Sequence, residues 1–193
     1  RYLEDEEGFR VTYLPVDQYG RVKLSALREA LCKETILVSI MYVNNEVGSV
    51  QPVKEAAGIV KAYNREIIFH SDAVQGFGKY RIFPKREGID LLTVSSHKIH
   101  GPKGMGALYI SDKVKIRPIV FGGEQQKNIR SGTENVPGIA GFALAAKMVY
   151  SDLEEKTARM RKLKERFIEG IRQVDHVSVH GLPDETSAPH IVS

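Results

Sequence analysis

The chain has 193 residues, 42% of them hydrophobic and 27% charged: enough for one core of substantial size, with no apolar run approaching the length of a membrane span. Its net charge of +4, from 28 basic and 24 acidic residues, is spread along the chain, and no basic patch interleaved with aromatics or known reader motif marks a nucleic-acid partner. A single cysteine, Cys32, excludes a disulfide framework and a cysteine-rich metal site and fits a reducing compartment.

RYLEDEEGFR, residues 1–10, is charged, lacks the n-region and h-region of a secretory leader, and reads as the exposed end of an interrupted helix, so a fragment boundary is expected there. VTYLPV (11–16) reads as a strand, followed by a turn at Asp17 and Gly20. KLSALREAL (23–31) sets Leu24, Leu27 and Leu31 at helical spacing and predicts an amphipathic helix with Cys32 near its end, in a packing role. TILVSIM (35–41) predicts a strand, VKEAAGIVKAYN (53–64) a helix, and REIIFHS (65–71), DLLTVSS (90–96) and GALYIS (106–111) three more strands, with RPIVFG (117–122) short and extended.

From Pro137 the pattern turns helical as far as Val174, too long for one globular helix, so a break is expected near Ser151. Within it, Met160, Leu163 and Phe167 recur at helical intervals among the charges of KTARMRKLKER (156–166), which reads as a solvated helix face. Alternating strands and helices define an α/β chain, a mainly parallel sheet flanked by helices.

Two strand exits carry the chemistry. Leu91 to Val94 end at Ser95, His97 and Lys98, with Gly101, Pro102 and Gly104 breaking the chain just after; an amine at a strand mouth, near other cationic groups, attacks carbonyls to form Schiff bases. IIFHSDAVQGFGK (67–79) delivers Asp72 and Gln75 at the end of another strand. In open α/β sheets ligands sit outside the carboxyl ends of the strands, so the two sets converge if the strands share a sheet. An amine for an aldehyde, a carboxylate for a pyridinium nitrogen and donors for phosphate and phenolate oxygens together suit pyridoxal phosphate.

Other motifs carry less. GPKGMG lacks the GK[ST] ending and following helix of a phosphate loop, and His97 and His100, three apart, have no carboxylate or cysteine on the same turn to complete a metal site. Glu46 in NNEVG reads as a buried, hydrogen-bonded loop anchor.

Four motifs in one order, VNNEVGSVQP (43–52), HSDAVQ (70–75), SSHKIHGPKG (95–104) and RSGTENVPG (130–138), resemble the cysteine desulfurases of the class V aminotransferase family, in the branch serving iron–sulfur cluster assembly. The resemblance runs through nearly the whole chain but covers only a middle part of the family's length. It implies the fold type I large domain of pyridoxal phosphate-dependent transferases. Residues 1–136 would be part of that domain, 137–175 the connecting helix or helices, and 176–193 the start of a small C-terminal domain, with VSVHG (177–181) and PHIVS (189–193) as its first strands.

Residue by residue, the resemblance implies that Lys98 takes the cofactor aldehyde and later shuttles protons, that Asp72 pairs with the pyridine nitrogen and that Gln75 meets the phenolic oxygen. Ser95 and His97 match phosphate-binding positions, and Thr133 matches a residue that reaches the phosphate held by the neighbouring subunit of a homodimer. Asn45 matches a position near the phenolic oxygen and the substrate carboxylate. Ser96 departs from the SGHK often seen, one small residue for another.

The implied reaction takes L-cysteine to L-alanine with sulfur passed to an enzyme cysteine as persulfide, then to an iron–sulfur scaffold or other acceptor protein, in the cytoplasm, with no membrane or nucleic-acid partner. The family's upstream phosphate loop and ring-stacking histidine and its downstream nucleophilic cysteine are not among these residues, and the isolated chain is expected to be inactive. A selenocysteine lyase, another class V aminotransferase, and a non-catalytic fragment or interaction module are the alternatives; RSGTENVPG and VNNEVG favour the desulfurase branch.

Overall fold

Short apolar runs with alternating burial make a sheet here, and its register fixes everything downstream. In the structure, a computed structural model describing residues 2–182, 184 and 186–193, the elements begin α1 (Tyr2–Asp5), α2 (Leu24–Ala30), β1 (Leu37–Ser39), α3 (Val53–Tyr63), β2 (Ile68–Asp72) and α4 (Pro84–Glu87). They continue with β3 (Leu91–Ser95), a 3-10 turn (Ser96–Ile99), β4 (Gly106–Ile110), the short α5 (Gln125–Asn128), α6 (Val136–Ser151) and α7 (Leu153–Ile171). The strands lie in the order β1-β2-β3-β4, with β1, β2 and β3 parallel and β4 antiparallel to β3. The break between the two long helices falls at Asp152, one residue beyond Ser151.

Successive strand residues face opposite sides of the sheet. Val38, Phe69, Leu92 and Val94 point to one face and are buried, while Ser39, His70, Asp72, Thr93 and Ser95 share the other. Helix α3 covers the buried face with Val53, Ala56, Ala57 and Val60, the i, i+3, i+4, i+7 stripe of an amphipathic helix; the fully buried alanines let its backbone approach the strands closely.

Asp90, at the entrance to β3, stitches the sheet together at its amino edge. Its side chain accepts from Phe69 N–H (2.8 Å), from Lys113 Nζ (3.0 Å) and from Lys61 Nζ. Burial pushes its carboxyl pKa up, but these three donors outweigh burial and hold it below the usual aspartate value. A depressed folded-state pKa means the stabilisation is present above the unfolded-state pKa and is lost as pH falls through the folded one. Asp90→Ala in the intact protein is therefore expected to cost about 3–5 kcal/mol, because it leaves Lys61 half-buried without its partner. Urea unfolding followed from neutral pH into the acid range checks this: the gap between wild type and Asp90→Asn narrows toward acid, and a gap independent of pH contradicts it.

Four expectations change. VTYLPV forms no strand: among the described residues only Val16 bridges, to Val22, in a tight hairpin around the Asp17–Gly20 turn, and a six-residue run with Pro15 and no neighbouring strand has no ladder to join. Among the described residues VSVHG and PHIVS form no strand: PHIVS opens with a turn at Pro189 and His190, and a bond from His180 N–H to the Ser193 carbonyl (2.8 Å) links the two segments. Helix α2 ends at Ala30 with Leu31 extended, so the half-buried Cys32 lies beyond it, its sulfur 3.3 Å from Arg10 Nη2. On α7 Leu163 and Phe167 are 57% and 53% exposed, as a solvated face requires, but Met160 and Lys164 in the same run are half-buried, on the stripe of Leu153, Thr157 and Ile168. Lys164 is drawn in because its Nζ reaches Ser187 Oγ (2.6 Å) and the Ala188 carbonyl (2.9 Å) while its stem packs inward.

Candidate functional site

Parallel pairing puts the carboxyl ends of β1, β2 and β3 on one edge, and that edge gathers the polar residues. Asp72 sits opposite Thr93 in register, so Asp72 and the segment Ser95–Lys98 leave the sheet side by side. The ladder continues past the strands through Tyr42 N–H to the Asp72 carbonyl (2.7 Å) and Ala73 N–H to the Thr93 carbonyl (2.9 Å), which holds all three exits in one frame. Below them His70 spans the strands, Nδ1 with Ser39 Oγ (2.8 Å) and Nε2 with Thr93 Oγ1 (2.9 Å). Burial lowers its pKa against the pull of Asp72, so the ring is a neutral crossbeam.

Asp72 is exposed; its Oδ1 accepts from Val74 N–H (2.9 Å) in an Asx turn, and its other oxygen has no hydrogen bond among the described residues. Ser95 Oγ and His97 Nδ1 lie 2.7 Å apart. Lys98 stands on the 3-10 turn, exposed, with no hydrogen bond or ion pair among the described residues, where shielding from water was expected of a reactive lysine.

The turns that aim these groups are locked from behind by α6. Gly78 has φ +74, and a Cβ there would stand 2.7 Å from Ile99 Cγ2 and 3.0 Å from Val149 Cγ1, so only glycine lets the Asp72 loop, the lysine turn and α6 meet. Tyr150 of α6 seals the junction, accepting from Gly78 N–H (3.1 Å) and donating to the Tyr80 carbonyl (3.2 Å).

Two candidates stand apart from this cluster. Asn45, in the loop after β1, is exposed and its amide donates to Glu46 Oε1 (2.6 Å). Glu46 is exposed too, and the anchor of that loop is instead Asn44, whose Oδ1 accepts from the backbone N–H groups of Glu46 and Val47, each at 2.9 Å; a carboxylate solvated at a loop tip has no need of burial. Thr133 is exposed on the segment before α6 and has no hydrogen bond to Asp72 or Lys98 among the described residues.

Sequence reasoning missed His190. It comes from the far end of the chain, 115 residues from Gln75, yet its Nε2 lies 3.4 Å from Gln75 Oε1 while its buried Nδ1 has no hydrogen-bond partner among the described residues. Burial, together with the positive charges of Lys79, Lys164 and Lys98, drives its pKa down to about 4. Nothing in PHIVS signals this, because the partners come from three other elements. Among the described residues no group of three or more histidine, cysteine or acidic side chains is placed to hold a metal ion, and no helix is long and apolar enough to cross a membrane.

An open, mostly parallel sheet with its polar groups at the carboxyl edge is the architecture of the Aminotransferase class-V family, which matches residues 1–193, and the chain belongs to that family. Within the family it is 46% identical over 185 residues to the "Cysteine desulfurase IscS" of Methanosarcina thermophila, a match covering 96% of this chain and 45% of that protein. Among solved structures it is similar to a "NIFS-LIKE PROTEIN", with a TM-score of 0.93 and 42% identity over 97% of this chain and 51% of that one. It is also similar to "SspA in complex with cysteine", with a TM-score of 0.69 and 39% identity over 72% of this chain and 40% of that one. The chain thus spans about half the length of the relatives it matches.

Proposed function

We propose that this chain is the cofactor-holding part of a pyridoxal phosphate-dependent cysteine desulfurase that takes L-cysteine to L-alanine. The observation that carries the reading is the gathering of Asp72, Gln75, Ser95, His97 and Lys98 at the carboxyl edge of adjacent parallel strands. The donor set suits the cofactor: an unpaired amine, a carboxylate with an uncommitted oxygen, a carboxamide, and a hydroxyl and imidazole within hydrogen-bonding distance of each other. When bound, pyridoxal phosphate supplies an aldehyde for amines and a sink for the electron pair at the substrate Cα.

In this reading Lys98 would hold the cofactor's aldehyde, and its amine would carry protons at the substrate Cα and Cβ. Asp72 would keep the pyridine nitrogen protonated, Gln75 would donate to the phenolic oxygen, Ser95 and His97 would donate to the phosphate, and Asn45 would turn toward the substrate carboxylate. Thr133 reaches the phosphate of a second subunit. The bare apolar stripe of α6, with Val136, Leu144 and Met148 all more than half exposed, supports a homodimer on that side. Residues 1–136 then belong to the large domain, 137–175 connect, and 176–193 begin the small domain.

The sulfur goes to a thiolate elsewhere in the protein. Cysteine and a thiol give alanine and a persulfide, atom for atom, and the persulfide passes to an iron–sulfur scaffold or other acceptor protein in the cytoplasm. Cys32 is not that thiol: it precedes β1 and so lies toward the amino edge of the sheet, opposite to Lys98. In the intact protein loaded with cofactor, L-cysteine and a reductant should yield alanine and sulfide in equal amounts, and Cys32→Ser should leave that rate unchanged. Absence of alanine refutes the reading; loss of activity in Cys32→Ser refutes the placement of the thiol.

A further inference from the structure

The carboxamide of Gln75 presents either a carbonyl oxygen or an amino group to a ligand, and which one it presents is set by what holds its other end. The group at the other end is His190. Its Nε2 lies 3.4 Å from Gln75 Oε1, its Nδ1 is buried without a hydrogen-bond partner among the described residues, and it comes from the segment after α7 rather than from the strand exits that carry Asp72 and Lys98.

We propose that His190 is a positioning residue: its imidazole, carrying its proton on Nε2, holds Gln75 Oε1 so that the Gln75 amino group faces the Lys98–Asp72 crevice as a donor. The role rests on the reading of that edge as a pyridoxal phosphate site.

The tautomer follows from satisfaction of buried groups. A proton on Nδ1 would be a buried donor without an acceptor, the rarer and costlier arrangement, whereas a bare Nδ1 lone pair is tolerated. The charged groups facing the ring are Lys79 on the loop after β2, Lys98 on the 3-10 turn and Lys164 on α7, all positive, and each disfavours a second proton. The ring therefore stays neutral through the range in which an ordinary histidine titrates, and its hold on Gln75 does not change with pH there. An imidazole that took up a proton near neutrality would still donate from Nε2 but would add a charge beside Lys98.

A donor aimed at the phenolic oxygen stabilises the negative charge that remains there when the neighbouring nitrogen loses its proton, so it lowers the pH at which the bound cofactor changes colour. In the intact protein loaded with pyridoxal phosphate, His190→Leu frees the Gln75 amide to rotate, and the midpoint of the absorbance change is expected to rise by about one pH unit. His190→Gln, which restores an N–H at a similar reach, should return the midpoint toward wild type. Both variants should keep the thermal midpoint of a folded protein; if His190→Leu fails to fold, His190→Gln against Gln75→Leu makes the same comparison, with the shift appearing only in Gln75→Leu.

Independently of cofactor, nitrogen-15 spectra of the unloaded protein should show His190 protonated on Nε2 and unchanged in charge between pH 5 and 8. Loaded wild type with an unshifted midpoint in His190→Leu, or a proton found on Nδ1, overturns the role of His190 alone. A wild-type protein that takes up no pyridoxal phosphate overturns the reading of the site and this role together.

Discussion

Lys98→Ala in the intact protein is expected to lower alanine formation from L-cysteine by at least about 10³-fold, at the upper end of what a positioned acid–base group supplies. The lysine does two things at once in the proposed reaction, holding the aldehyde ready for exchange and carrying protons on the substrate, and no neighbour stands in for it. Lys79 is half-buried beside His190, and burial lowers its pKa, but it lies on the other loop behind Gln75. Lys103 is past Gly101 and Pro102, beyond the αL residue His100 (φ 67) that ends the lysine turn. Lys98→Arg should be as inactive as Lys98→Ala, since a guanidinium keeps the charge and stays protonated. The fold should persist in both, because Lys98 is exposed and makes no hydrogen bond or ion pair among the described residues. Either variant retaining a tenth of wild-type turnover would assign the chemistry to another amine.

Asp72→Asn should keep the cofactor bound and cut turnover by about 10²–10³-fold, the magnitude seen when one preorganised electrostatic partner of a developing charge is removed. The amide has the carboxylate's shape and its oxygen still accepts from Val74 N–H, so the Asx turn and the loop to Gln75 stay in place. What is lost is the negative charge that keeps a pyridine nitrogen protonated and able to draw electrons from the substrate. Measuring cofactor content alongside kcat separates the two effects: full occupancy with slow turnover is the expected pair, and unchanged turnover contradicts the role of Asp72.

Much of this was legible in the sequence because its signals are local. Short apolar runs in IIFHS and DLLTVS mark β2 and β3, the four motifs mark their exits, and parallel pairing is enough to bring Asp72 and Lys98 to one edge. The misreadings arise where a segment's partners decide its structure. VTYLPV has the composition of a strand, but a strand is made by its neighbour, and here Val16 finds only Val22. Lys164 of α7 stands in a run that looks solvated in sequence, yet it is drawn in by Ser187 and Ala188. Asn44 rather than Glu46 anchors its loop because a short amide closes a turn on its own backbone, a preference that could have been read from the residue type. His190 had no local signal at all.

The most direct test of the central claim is the position of the covalent link. The intact protein is incubated with pyridoxal phosphate, reduced with borohydride, digested and mapped by mass spectrometry. The account predicts a pyridoxyl group on the peptide containing Lys98, absent from Lys98→Ala; a label on Lys79 or Lys103, or none in the wild type, contradicts it.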